Sequence, residues 1–160
     1  MARQPCKVFV SFAPMDGIAC GRLMRMLKVQ TAVSSRFDFR FWDDRIQFSG
    51  EKAQTEIQQA IDACDIGLLL LTSKFADCEF IRANELPWFV GPDAKPQLSV
   101  EVEAIDYQLD ADVNDKPFRH GKHTWKACTG RQQKLFVQGL SEQLEAFVAT
   151  LEHSADPTSP

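Results

Sequence analysis

The longest unbroken apolar run, Ile66-Gly67-Leu68-Leu69-Leu70-Leu71, lies between Asp65 and Thr72-Ser73. It is too short for a buried helix and reads as a strand covered on both faces, which points to a parallel sheet between helices. Lys7-Val8-Phe9-Val10-Ser11-Phe12 predicts a second strand from its β-branched and aromatic content. Phe37-Asp38-Phe39-Arg40-Phe41 alternates strictly, as in a strand with one face buried at or near a sheet edge. Helical spacing joins Ala19, Leu23, Met26 and Leu27 into one stripe, with Asp16 placed to cap that helix. Ala53, Ile57, Ala60, Ile61 and Cys64 mark the buried face of another helix, and Glu51 and Glu56 lie near its positive end. A third helical segment is expected over residues 73–85, with a stop or kink at Leu86 because Pro87 follows. Residues 97–104 read as a strand, and 110–130 as loop with a short strand near His123-Thr124-Trp125. Phe136, Leu140, Leu144, Phe147, Val148 and Leu151 mark a final helix.

Strands alternating with helices imply an α/β fold. The expected architecture is flavodoxin-like: five parallel strands in the order 2-1-3-4-5, with helices on both faces. The 160 residues suit one domain with a sizeable core. In such sheets ligands bind beyond the carboxyl ends of the strands, which puts Ser73 at the rim.

Charge removes some function classes. A net charge of −4 without a long basic run gives nucleic-acid binding no electrostatic support. No apolar stretch approaches the roughly 20 residues that span a bilayer. The chain runs from Met1 straight into its first strand, so no signal peptide is expected and a cytoplasmic location is. The five cysteines are widely spaced without a C-x-x-C pair, and read as thiols of a reducing compartment rather than zinc ligands. His120 and His123 flank Gly121-Lys122 in a polar loop and form no ligand set.

Two glutamates compete for a chemical role. Glu79 falls at the polar start of the 73–85 segment, where a carboxylate is favoured for stability alone. Glu85 shares a side with Ile81 and Arg82 and adjoins Leu86 and Trp88, so it lacks that explanation; a solvated helix glutamate is its bland alternative. There is no G-x-G-x-x-G after the first strand, no G-x-x-x-x-G-K-[ST] and no G-x-S-x-G. A phosphorylatable receiver would need an aspartate ending the third strand, where Thr72-Ser73 stands.

Three stretches, in order, resemble the TIR (Toll/interleukin receptor-type) family. Phe9-Val10-Ser11-Phe12 with Asp16 is similar to its first box. Trp42-Asp43-Asp44-Arg45-Ile46, with Gly50-Glu51 beyond, is similar to its BB loop. The run from Ile66 to Ser73, with Phe75 and then Asn84-Glu85-Leu86, is similar to the third strand and the glutamate-bearing helix of NAD-cleaving members. The resemblance implies a TIR domain over residues 6–152, with 153–160 as linker or disordered tail to a downstream sensor module.

The resemblance further implies hydrolysis of NAD+ at the nicotinamide–ribose bond, in an immune or antiphage effector activated by self-assembly. Glu85 would be the catalytic carboxylate. Ser11, Phe12, Ala13, Trp42 and Ser73 would bind substrate, and Asp43, Asp44, Arg45, Ile46 and Gly50 would serve the assembly loop. NAD+ would be the substrate, with no cofactor, no metal, no nucleic acid and no membrane. Residue by residue the bland alternatives are Trp42 as core, Asp43 as a turn residue and Arg45 as a surface charge. Two rival functions are a non-enzymatic TIR scaffold signalling by homotypic contacts and a nucleoside deoxyribosyltransferase-like enzyme.

Overall fold

The computed structural model describes residues 2–43, 51–104 and 117–155. Four strands, β1 (Gln4–Ser11), β2 (Phe37–Trp42), β3 (Ile66–Leu71) and β4 (Gln97–Glu101), form one sheet in the order β2-β1-β3-β4. All three pairings are parallel, with Phe9 opposite Trp42 on one side and Gly67 on the other. The helices are α1 (Gly17–Thr31), α2 (Glu51–Ala63), α3 (Ser73–Asp77), α4 (Glu79–Asn84) and α5 (Arg131–Ala155).

Strand periodicity divides the core into two layers. Val8, Val10, Ile66, Leu68, Leu70, Leu98 and Val100 face one way and pack with Leu23 and Leu27 of α1 and Phe136, Leu140 and Leu144 of α5. Phe9, Leu69 and Leu71 face the other way, towards Ile57 and Ile61 of α2, Phe75 of α3, Ile81 of α4, and Leu86 and Phe89 beyond it. All six residues of β3 are buried, as the unbroken apolar run requires, and β2 is an edge strand.

Three local expectations need correction. The buried stripe of α1 is Cys20, Leu23, Met24, Leu27 and Thr31, because the helix turns Ala19 and Met26 to its flank. The 73–85 segment is two short helices broken at Cys78, whose backbone is extended (φ −79°, ψ 107°). The second of them ends at Asn84, and Pro87 falls within a 3-10 turn, Leu86–Trp88. The short strand expected at 123–125 is absent: the His120 and His123 backbones close a tight turn, and Phe118 makes a single parallel bridge to Val100 beside β4. Gly121, at φ 61°, adopts the left-handed backbone that a tight turn uses and an extended strand does not. No helix among the described residues is long and apolar enough to cross a membrane.

Candidate functional site

A hydrogen bond joins the carboxyl end of β1 to the end of α4. Ser11 is the last residue of β1, two positions beyond Phe9, so the period of the strand aims it at the layer that holds α2 to α4. Glu85 caps the carboxyl end of α4 and enters the same layer. The Ser11 hydroxyl donates to Glu85 Oε1 at 2.8 Å, and both residues are 0% exposed. Burying a carboxylate costs several kcal/mol unless polar partners surround it, so this glutamate is not a solvated helix residue. Glu79, by contrast, is exposed in the first turn of α4, as expected of a helix-stabilising charge.

The other expected substrate-binding residues divide between the two faces. Ala13 and Trp42 pack in the layer that contains Leu86 and Phe89, whereas Phe12 is buried in the opposite core beside α1 and α5. Trp42 stacks on Phe9 with centroids 5.3 Å apart, and Phe9 stacks in turn on Phe89 at 5.9 Å. The indole is therefore one end of a three-ring column next to the turn that carries Glu85. Asp43 is held within the chain by Lys28 at 2.9 Å. Asp44, Arg45, Ile46 and Gly50 lie outside the described residues.

A second polar group occupies the same end of the sheet. The Thr72 hydroxyl donates to Asp16 Oδ2 and accepts from the Phe75 N–H, which starts α3. Asp16 precedes α1, but its side chain makes no capping bond there; it turns inward to Thr72 and is almost wholly buried. Ser73, exposed, donates from both its N–H (2.8 Å) and its hydroxyl (2.6 Å) to Glu103 Oε1. Lys126 donates to Glu103 Oε2 at 2.9 Å and lies 3.8 Å from Asp16 Oδ1. The Ser73 hydroxyl bond, followed by that of Lys126, holds the Glu103 carboxyl down at about 2, and Glu103 in return raises the Lys126 ammonium. Buried Glu101, the last residue of β4, is paired with Arg119.

Sequence reading missed Asp16–Thr72 and Glu103–Lys126 as functional candidates. Asp16 had a sufficient local role as a cap and lies 56 positions from Thr72, while Glu103 lies 30 positions from Ser73 and 23 from Lys126, in a chain without motif spacing. The five cysteines form no disulfide, and burial pushes the Cys6 thiol up to about 12 and raises Cys64 and Cys128 as well. Such thiols stay protonated and are poor nucleophiles. Two clefts of about 490 Å³ lie elsewhere, one at the amino ends of the strands beside Cys6 and Phe37, the other between α1 and α5.

No protein-family model matches this chain, and no curated protein matches it in sequence.

Proposed function

We propose that this chain is a TIR-type NAD+ hydrolase in which Glu85 is the catalytic carboxylate. The observation that supports this reading best is the fully buried Ser11–Glu85 pair at the carboxyl end of a parallel sheet, where α/β folds bind ligands. The order β2-β1-β3-β4 is what the first four strands of a flavodoxin-like 2-1-3-4-5 sheet would have, and the Phe118 bridge lies on the side of β4 that a fifth strand would take.

The chemistry needs one carboxylate. Cleavage of the nicotinamide–ribose bond builds positive charge on the ribose, and a carboxylate stabilises or captures that centre. Nicotinamide departs as a neutral molecule without a general acid. Water then adds to the ribose and loses a proton, giving ADP-ribose and H+. Ser11 orients Glu85 through its hydroxyl, and low-dielectric surroundings strengthen the attraction between carboxylate and cation. Glu85 is closed to solvent in the single chain, which suits an enzyme activated by self-association.

The test is nicotinamide release from NAD+ by concentrated, self-associated protein, followed by chromatography. Glu85→Gln keeps the size of the side chain and an acceptor for Ser11, and should lower turnover by about a thousandfold. Wild type that releases no nicotinamide under assembly conditions, or a Glu85→Gln protein as active as wild type, ends this reading. Release of free base from deoxynucleosides instead would favour the deoxyribosyltransferase-like chemistry, and partner binding without any turnover would favour the scaffold.

A further inference from the structure

We propose that Ser73 and Lys126 form a binding subsite for a phosphate-type oxyanion, and that the carboxylate of Glu103 occupies it when no ligand is bound. Three donors converge there on one anionic group: the Ser73 N–H, the Ser73 hydroxyl and the Lys126 ammonium, at 2.8, 2.6 and 2.9 Å. A backbone N–H, a hydroxyl and a lysine are the donor types that hold phosphate oxygens. The carboxylate is thus a stand-in for an external anion, supplied by the chain itself.

The occupant can leave. Glu103 lies two residues past the end of β4, its side chain is 26% exposed, and Ser73 and Lys126 both reach solvent. Neither donor residue would be left to collapse, because each has independent support. Ser73 follows Thr72, whose hydroxyl is fixed between Asp16 and the Phe75 N–H. The Lys126 N–H donates to the Val102 carbonyl at 2.8 Å. Asp16 remains 3.8 Å behind Lys126 and weakens the site, but its other oxygen is committed to Thr72. The low pKa of Glu103 fits a donor set strong enough to hold an anion in water.

The ligand class is a phosphate or diphosphate. That the whole ligand is a dinucleotide rests on the function proposed above; the oxyanion subsite does not. The test therefore uses inorganic pyrophosphate and measures no turnover. Calorimetric titration at low salt should show Glu103→Gln binding pyrophosphate about tenfold more tightly than wild type, because a unit negative charge has left the immediate contact shell. The Ser73 amide resonance should move on titration, and Glu103→Gln combined with Lys126→Ala should lose the gain. Glu79→Gln, which removes an exposed carboxylate outside the cluster, should bind as wild type does. Equal affinity of wild type and Glu103→Gln overturns the proposal, as does a gain that survives Lys126→Ala or appears equally in Glu79→Gln. An inactive protein that binds pyrophosphate in this pattern would end the hydrolase reading and leave the subsite standing; the converse result would do the reverse.

Discussion

Gly67→Ala tests the packing that holds the Glu85 turn against the sheet. Gly67 is the one position of β3 without a side chain, and the ring of Phe89 fills the space above it. A Cβ at residue 67 would stand 2.5, 2.7 and 2.9 Å from three atoms of that ring. Carbon atoms in ordinary contact are about 3.5–4.0 Å apart, so the ring must retreat by about 1 Å. It has little freedom to do so. Phe89 is 2% exposed, stacks on Phe9 at 5.9 Å, and its N–H bonds the Leu86 carbonyl at 2.9 Å. Overpacking of this kind costs about 1–3 kcal/mol. At about 2–4 °C per kcal/mol, the melting temperature should fall by about 2–12 °C. Urea unfolding followed by fluorescence of Trp42, Trp88 and Trp125 should show a lower midpoint at unchanged slope. Phe89→Leu shortens the obstructing side chain and costs about 1 kcal/mol by itself through the space it leaves. The double variant should be more stable than the sum of the two single changes predicts, by about 1 kcal/mol. A Gly67→Ala protein within about 0.5 kcal/mol of wild type, or strictly additive changes, would refute the close approach of Phe89 to the strand. Because the Trp88 N–H bonds the Glu85 carbonyl at 3.1 Å, any movement of Phe89 is transmitted to the turn that carries the carboxylate.

Two further outcomes concern the second polar group. Thr72→Val removes both a hydrogen-bond donor to buried Asp16 and the cap of the Phe75 N–H, and should cost about 2–4 kcal/mol in chemical unfolding; Thr72→Ser should recover most of that loss. Glu103 is pulled down from 4.5 to about 2 in the folded chain, so its contribution to stability is complete above about pH 5 and is lost as pH falls towards 2. Glu103→Gln should accordingly flatten the pH dependence of the unfolding free energy between pH 5 and 2, by about 1 kcal/mol after allowance for solvent screening. An unchanged pH profile would show that the Ser73 and Lys126 bonds do not depend on the charge of Glu103.

The sequence by itself determined the layers. The apolar run 66–71 could only be a strand buried on both faces, and the alternation at 37–41 marked an edge, because each pattern records how many sides of a segment water reaches. Pro87 located the end of the glutamate-bearing helix to within two residues, since the restriction that proline imposes is local. Glu85 could likewise be singled out from its neighbours in the chain. Its burial could not, because its buried partner Ser11 lies 74 positions earlier and the two meet only in the folded chain. Asp16 is the reverse case. Its place before α1 fits a cap, yet the tertiary structure turns it to Thr72, 56 positions away, because a buried hydroxyl at the end of a central strand must find an acceptor. The joining of Ser73, Glu103 and Lys126 belongs to the same class. Local patterns fix which face of an element is apolar. Which polar groups meet at the ends of the strands is decided by the order and register of the sheet, a property of the whole chain.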